Sequence, residues 1–435
     1  MNHDLRNLLS HLESQGELER IQDKVYPRFQ VAHMMKERDG GKALLFENIV
    51  GYRTEVLSGM CGTKHRLALA IEKTEAQLHA AVNEAIDRPI EPKVANDGPV
   101  KEAVDSPKLS SIPILTHYEK DLGPYIASGI VSAKSTDGTI ENVSIHRMLV
   151  LDDNHLTMRI VPRHLYALCR MAKEKGKNSL DIAIAIGLHP SVLIAAASPA
   201  PFGVSEYGVA NAMMNSSLTL SEIGDSGLRV PADSELAFEA KILLNKEVDE
   251  GPFVDLTGTY DIVRKQPLVE VTRVYHRREY IYQALLPGGT EHKILMGLPY
   301  EARIFQAVSG TVPKVKSVNL TSGGCGWLHA VVSIDKQTEG DGKNALMATF
   351  GAHPSVKHVV IVDADIDVAN LQDVEWAIAT RLQADKGLVV IPNARGSSLD
   401  PSANQEDGTT TKVGIDATRT LKKPIEKFAK ARIPE

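Results

Sequence analysis

The sequence predicts an α/β (α+β) protein in three parts: an N-terminal α/β segment over 1–115, a central β-rich domain over 116–300, and a C-terminal α/β domain over 301–435. Three observations carry this expectation. Between residues 127 and 286, apolar runs of strand length follow one another with turns between them, which suits a barrel or split barrel. On either side, strand-like runs alternate with helical spacing. Between 89 and 115, Pro89, Pro92, Pro99, Pro107 and Pro113 stand among mixed charges, the composition of a connector.

The elements follow in order. Leu5, Leu8, Leu9 and Leu12 recur at helical spacing, with Asp4 placed to cap that helix and Gly16 placed to stop it. This is an amphipathic first helix and not a signal peptide. ALLFENI (43–49) and TEVLSGM (54–60) read as strands, whereas KHRLALAIE (64–72) and AQLHAAVNEAI (76–86) read as helices. In the central domain the strand-like runs are 127–135, NVSIHRMLVLD (142–152), 155–161, 181–187, SVLIAAA (191–197), 235–244, 267–277 and 280–286, with a helix at HLYALCRMAKEKG (164–176). Residues 291–309 predict a helix or broken helix. Beyond it, strands at 328–335, 356–363 and 387–392 alternate with helices around 341–350 and 370–383. The basic, amphipathic stretch 418–433 predicts a terminal helix whose Leu421, Ile425 and Phe428 either cover a neighbouring subunit or pack on their own chain.

Composition narrows the function. The 435 residues are 43% hydrophobic and 24% charged, enough apolar material for two or three cores. A net charge of -6 with scattered basic residues argues against nucleic acid and against a polybasic membrane anchor, so small molecules are the expected partners. Cys61, Cys169 and Cys325 lie too far apart for a CxxC motif, and a reducing cytoplasm is expected. The most apolar stretch, 180–202, contains Asp181, His189 and several prolines and cannot cross a bilayer as one helix.

Chemistry is first suggested by DEGPFVDLTGTY (249–260). Glu250 and Asp255 are an odd number of residues apart, so one flat strand would point them to opposite faces. Gly251 and Pro252 can bend the chain between them, and an acidic surface turn is the competing reading. In ENVSIHRMLVLDD (141–153), alternation puts Arg147 on the face of Val143 and Ile145. There it either meets an anion or carboxylate or reaches solvent from a strand end. In IVPRHLY (160–166), Arg163 and His164 open a helix, where an anion would be attracted. Taken alone, SPAPFGVSE (198–206) is only a loop ending in Glu206. DADID (363–367) suits a metal loop without the glycine and final glutamate of an EF-hand, or equally a helix cap. SGGCGW (322–327) reads as a turn.

In this order the segments form a pattern: Asn142-x-Ser144-Ile145-x-Arg147, then Pro162-x-His164, then a P-x-P-x-G-V-x-E segment ending at Glu206, then Glu250-Gly-Pro-Phe-x-Asp255, then V-D-x-D-I-D-V at 362–368. The pattern closely resembles the UbiD family of decarboxylases, which use prenylated FMN, and the likeness runs from LLFENI (44–49) to KVGIDATR (412–419). The resemblance implies that the central split barrel binds flavin. Its phosphate would be held through Mn²⁺ (or Mg²⁺) on Asn142, His164 and Glu206, a donor set suited to a hard ion. K⁺ would sit nearby on backbone carbonyls around Ala195 to Ser198, including Ala196 and Ser198, and on Glu206. Asn142, Val143, Ser144, Ile145, His146 and Arg147, with Arg163 and His164, would line the flavin.

The same resemblance assigns Arg147, Glu250 and Asp255 as the catalytic set. Loss of CO₂ from an sp² carbon leaves a carbanion that side chains cannot delocalise, so a cofactor must act as the electron sink. In the family the prenylated flavin does so by 1,3-dipolar cycloaddition, and Asp255 would then donate the proton, with Arg147 orienting the substrate carboxylate and pairing with Glu250. His292, Lys293 and Met296 are candidates to line the substrate pocket. Relatives that take a second carboxylate or a phosphate tend to offer extra cations there, and Tyr300, standing where such relatives would carry a basic residue, points instead to an aromatic, heteroaromatic or conjugated monocarboxylic acid. Alternatives are a carboxylase, a subunit of a multi-subunit (de)carboxylase, a decarboxylase of a phosphorylated unsaturated acid, or a non-catalytic flavin-binding module. The resemblance further implies a flavin prenyltransferase as cofactor supplier and a homodimer or homohexamer.

Overall fold

The structure, a computed structural model, describes residues 4–431 and 433. Its two compact units are Met1–Leu295 and Met296–Glu435, so the long helix Thr290–Ser309, which contains Pro299, belongs to both.

The first unit opens with the helix Leu5–Ser14, whose Leu5, Leu8, Leu9 and Leu12 are buried. Asp4 caps it by accepting the Asn7 N–H at 2.7 Å, and Gly16 ends it at φ 71°. Strands Leu18–Ile21, Ala43–Phe46, Val56–Ser58 and Tyr282–Gln283 form a four-stranded sheet. The proline-rich connector contains more structure than its composition suggests, because Lys93–Ala95 joins a three-stranded sheet and Ala103–Asp105 pairs with Arg264–His276.

The centre of this unit is a nine-stranded antiparallel sheet that curls into a half-barrel. Along it the order is Tyr125–Ile126, Met148–Val150, His155–Met158, Arg264–His276, Leu236–Glu250, Ser179–Ile186, Ile130–Lys134 and Glu141–Ile145. Ile182, Ile184, Phe238, Val269 and Leu156 are fully buried in one apolar cluster beneath it. The expected single strand 142–152 is two strands, one at an edge of this sheet and one next to the opposite edge. Only His146 and Arg147 connect them, which requires the sheet to curl and puts these two residues at the seam. A second correction concerns SVLIAAA: it is a helix, Pro190–Ala197, and not a strand. Pro190 opens this helix and the His189 ring accepts the Ser191 N–H; because Pro190–Ala196 are all buried, no amphipathic period separated helix from strand in the sequence.

Glu250 ends the strand Leu236–Glu250, and a small hairpin, Phe253–Val254 with Tyr260–Asp261, follows it. Between them Gly251 adopts φ 94°, a Cβ there would meet the Ile262 carbonyl oxygen at 3.1 Å, and the Gly251–Pro252 peptide is cis. Only glycine is at ease in this position.

The second unit is built on a five-stranded sheet in the order Val315–Leu320, His329–Ile334, His358–Asp363, Thr409–Asp416 and Leu388–Arg395. Its central strands pair in parallel and are flanked by the helices Asp341–Ala352 and Leu371–Arg381. The DADID stretch is structural, since Asp363 and Asp365 both pair with buried Arg381. Residues 321–328 form a turn, with positive φ at Cys325 and Gly326. In place of the terminal helix expected over 418–433, the described residues show a single 3-10 turn, Ile425–Phe428; Arg432 lies outside the described residues. Among the described residues no helix is long and apolar enough to cross a membrane.

Candidate active site

Arg147 projects from the seam and meets three carboxylates. Its Nε and Nη2 donate to the two oxygens of Glu250, each at 2.9 Å; Nη1 donates to Asp255 Oδ2 at 2.8 Å and Nη2 to Asp261 Oδ2 at 3.0 Å. The guanidinium also lies 4.8 Å from the centroid of Phe253, whose ring packs 4.5 Å from that of Tyr125. Side-chain exposure is 0% for Glu250, 8% for Arg147 and Asp261, and 17% for Asp255, so Asp255 is the most accessible of the three acids. The bend at Gly251 thus brings onto one cation two acids that a flat strand would have separated.

The electrostatics follow from this packing. Burial alone would push the Arg147 guanidinium down, but its hydrogen bonds to Glu250 and the charges of Glu250, Asp255 and Asp261 hold it above its ordinary range. Burial, opposed by Arg264 and Arg147, acts on Asp261, and the two arginines hold that carboxyl below its usual range. Burial first, and then the Glu250 charge, raises the Tyr125 phenol, whose oxygen accepts the Gly251 N–H at 3.2 Å. His292, which accepts the Gly288 N–H on Nδ1 at 3.1 Å, is held below its ordinary value by burial, with the Asp255 charge opposing. Its neutral form therefore carries the hydrogen on Nε2.

A second cluster joins the other expected residues. Glu206, 3% exposed, opens the helix Glu206–Met213. Its Oε1 accepts from Asn142 Nδ2 at 3.2 Å and stands 3.9 Å from His164 Nδ1, while its Oε2 accepts the Val143 N–H at 2.7 Å. A buried carboxylate, an amide and an imidazole are the donors a hard divalent ion takes, so the trio fits such an ion. Among the described residues no three His, Cys, Asp or Glu side chains surround one point, and one of the three donors here is an amide. Nearby, the Ser144 hydroxyl contacts His146 Nε2 at 2.9 Å and His146 Nδ1 contacts the Arg159 carbonyl at 2.9 Å; burial lowers this imidazole to about 4.

Arg163 occupies the N-cap position of the helix His164–Glu174, Ile145 is half-buried and Ala196 is buried. Ser198 closes its helix by donating its hydroxyl to the Ala195 carbonyl at 2.6 Å. Lys293 is half-buried beside His292 at the end of the first unit, and Met296 belongs to the second unit.

Asp261, Arg159 and Tyr125 were missed in the sequence. The Thr-Gly-Thr turn at 257–259 was the available signal for Asp261, because a hairpin there sets it opposite Phe253. Arg159 is half-buried, and burial followed by Arg264 lowers it from its ordinary range. Its neighbourhood includes Arg147, Asp261 and Glu250.

A buried arginine shared by three acids, together with a carboxylate, amide and imidazole trio, suits an enzyme site that handles carboxylates. Three domain descriptions of 3-octaprenyl-4-hydroxybenzoate carboxy-lyase match in succession: the N-terminal domain over residues 9–86, the Rift-related domain over 92–290 and the C-terminal domain over 293–417. The chain is 44% identical to the anhydromevalonate phosphate decarboxylase of Methanothermobacter thermautotrophicus over 98% of both chains. The UbiD-class enzyme HmfF from Pelotomaculum thermopropionicum in complex with FMN matches with a TM-score of 0.96 at 39% identity, covering 99% of this chain and 98% of that one. An evolved dimeric form of HmfF in complex with prFMN gives 0.92 at 36% identity, covering 99% and 97%. The chain belongs to the UbiD family of carboxy-lyases.

Proposed function

We propose that this protein decarboxylates a phosphorylated α,β-unsaturated acid of the anhydromevalonate phosphate type, using prenylated FMN held through Mn²⁺ or Mg²⁺. The observation that carries the proposal is the cluster on Arg147, with Glu250 at 2.9 Å and Asp255 at 2.8 Å, in a chain 44% identical over 98% of its length to a decarboxylase of that acid. That relative favours the phosphorylated acid over the aromatic reading.

Asn142, His164 and Glu206 would hold the metal and through it the cofactor phosphate, with K⁺ near Ala195 to Ser198. When bound, prenylated FMN supplies the electron sink for the pair left by departing CO₂. The protein's own residues do the rest. Arg147 holds the substrate carboxylate with Glu250 fixing its plane, and Lys293 offers positive charge toward the phosphate. As the carbon–carboxylate bond breaks, Asp255 gives its proton to that carbon, and it regains one from water before the next turnover. Each cycle thus consumes one substrate carboxylate and one proton and releases one CO₂.

The test is CO₂ release from anhydromevalonate phosphate by protein produced together with a flavin prenyltransferase. Turnover is expected with that cofactor and not without it, and Asp255→Asn should lower kcat by at least ~100-fold. Chelation should release the flavin, and Mn²⁺ should restore its retention. Turnover confined to aromatic acids would refute the substrate assignment, and a near-normal Asp255→Asn rate would remove Asp255 from the proton step.

A further inference from the structure

The acids around Arg147 are not equivalent. Glu250 takes two Arg147 N–H groups, and the Tyr125 hydroxyl lies 3.4 Å away. Asp261 takes one Arg147 N–H at 3.0 Å, the Ile262 N–H at 2.9 Å and a further ion pair from Arg264. Asp255 has a single cationic donor, Arg147 Nη1, together with the Leu256 N–H at 2.7 Å. With all groups ionised, the carboxylates Glu250, Asp255 and Asp261 exceed the guanidinium groups Arg147 and Arg264 by one negative charge.

An incoming substrate carboxylate adds another negative charge and finds only one Arg147 N–H uncommitted. Room is made when one acid takes a proton and releases its share of the guanidinium. Glu250 and Asp261 are each held by two cationic contacts and Asp255 by one, so Asp255 has the fewest contacts to give up. We propose that Asp261 is a positioning residue that, by keeping this cluster one negative charge in excess, directs the proton to Asp255 and couples its uptake to substrate binding. The proposal rests on the decarboxylase reading above for its consequence in turnover, but not for the charge balance itself.

Beyond these five hydrogen-bonded groups, further charges of both signs lie near the cluster. His292 lies near Asp255 at the start of the helix Thr290–Ser309, with Lys293 beside that ring, and burial keeps His292 biased toward its neutral form. Arg159 lies beside Arg264 and Arg147, and Asp121, whose Oδ1 is buried without a hydrogen bond, adds negative charge near Arg147. Tyr125 stays protonated.

The test compares pH profiles of the flavin-loaded enzyme. Asp261→Asn removes the excess negative charge and should move the alkaline limb of kcat about one pH unit lower, a size typical of one neighbouring charge. Arg264→Gln removes a positive charge and should move the limb the other way, and Asp261→Glu should restore the wild-type limb. Independently of turnover, the infrared carboxyl band assigned by its loss in Asp255→Asn should titrate with the same two shifts in the substrate-free full-length protein. A uniform fall in kcat with the limb in place in both variants, together with an unmoved carboxyl band, would overturn the proposal. Because the infrared arm needs no substrate, it decides even if the decarboxylase reading fails.

Discussion

Arg147 commits all but one of its N–H groups to Glu250, Asp255 and Asp261; the pairing with Glu250 was implied by the family resemblance, whereas the contacts with Asp255 and Asp261 were not. The residues that the ordered motifs named, Arg147, Glu250 and Asp255 in one cluster and Asn142, His164 and Glu206 in the other, do lie together. They were legible because their spacing along the chain is distinctive. Asp261 and Arg159 were not, because their roles depend on which strand lies beside which. At the same scale, His117 links burial to pH. Its ring is 6% exposed, and burial, partly offset by the Leu285 carbonyl, lowers it from 6.5 to about 3. The unfolded chain therefore takes up this proton first, so stability present above about pH 6.5 is lost progressively as the pH falls toward 3. His117→Leu should reduce the fall in Tm between pH 7 and pH 5 by roughly a few degrees relative to wild type, as scanning calorimetry would measure.

Among the elements, amphipathic ones were the most legible. Leu5–Ser14 was readable from its leucine spacing, its Asp4 cap and its Gly16 stop, all of them local signals. Pro190–Ala197 was misread because it is buried on every side, and a run of eight residues with no exposed polar face has no period to betray a helix. The break between Glu141–Ile145 and Met148–Val150 was hidden for another reason: the alternation continues through it, while the pairing partners lie at opposite ends of the sheet. The bend after Glu250 was anticipated from Gly251 and Pro252, and its cost can be measured. Gly251→Ala places a Cβ against the Ile262 carbonyl at a φ of 94°. It should destabilise the protein by roughly 1–3 kcal/mol in chemical denaturation and lower kcat, since Glu250 and Asp255 flank the strained position. Unchanged stability would show that the bend tolerates a side chain.

For the whole molecule, the alternation of strand-like and helical runs sufficed for the α/β class and for a central β-rich half-barrel, because those features are periodic. The order of strands in the large sheet was not accessible, since it depends on contacts between segments more than a hundred residues apart, such as Leu156 with Val269. That architecture treats the two key acids differently. Glu250 ends a long strand of the large sheet, paired there with Arg264, whereas Asp255 opens the turn of a hairpin with only two residues in each strand. Fraying should therefore begin on the Asp255 side. In mild urea, CO₂ release should fade before far-ultraviolet circular dichroism changes, leaving a folded but silent enzyme that recovers on dilution.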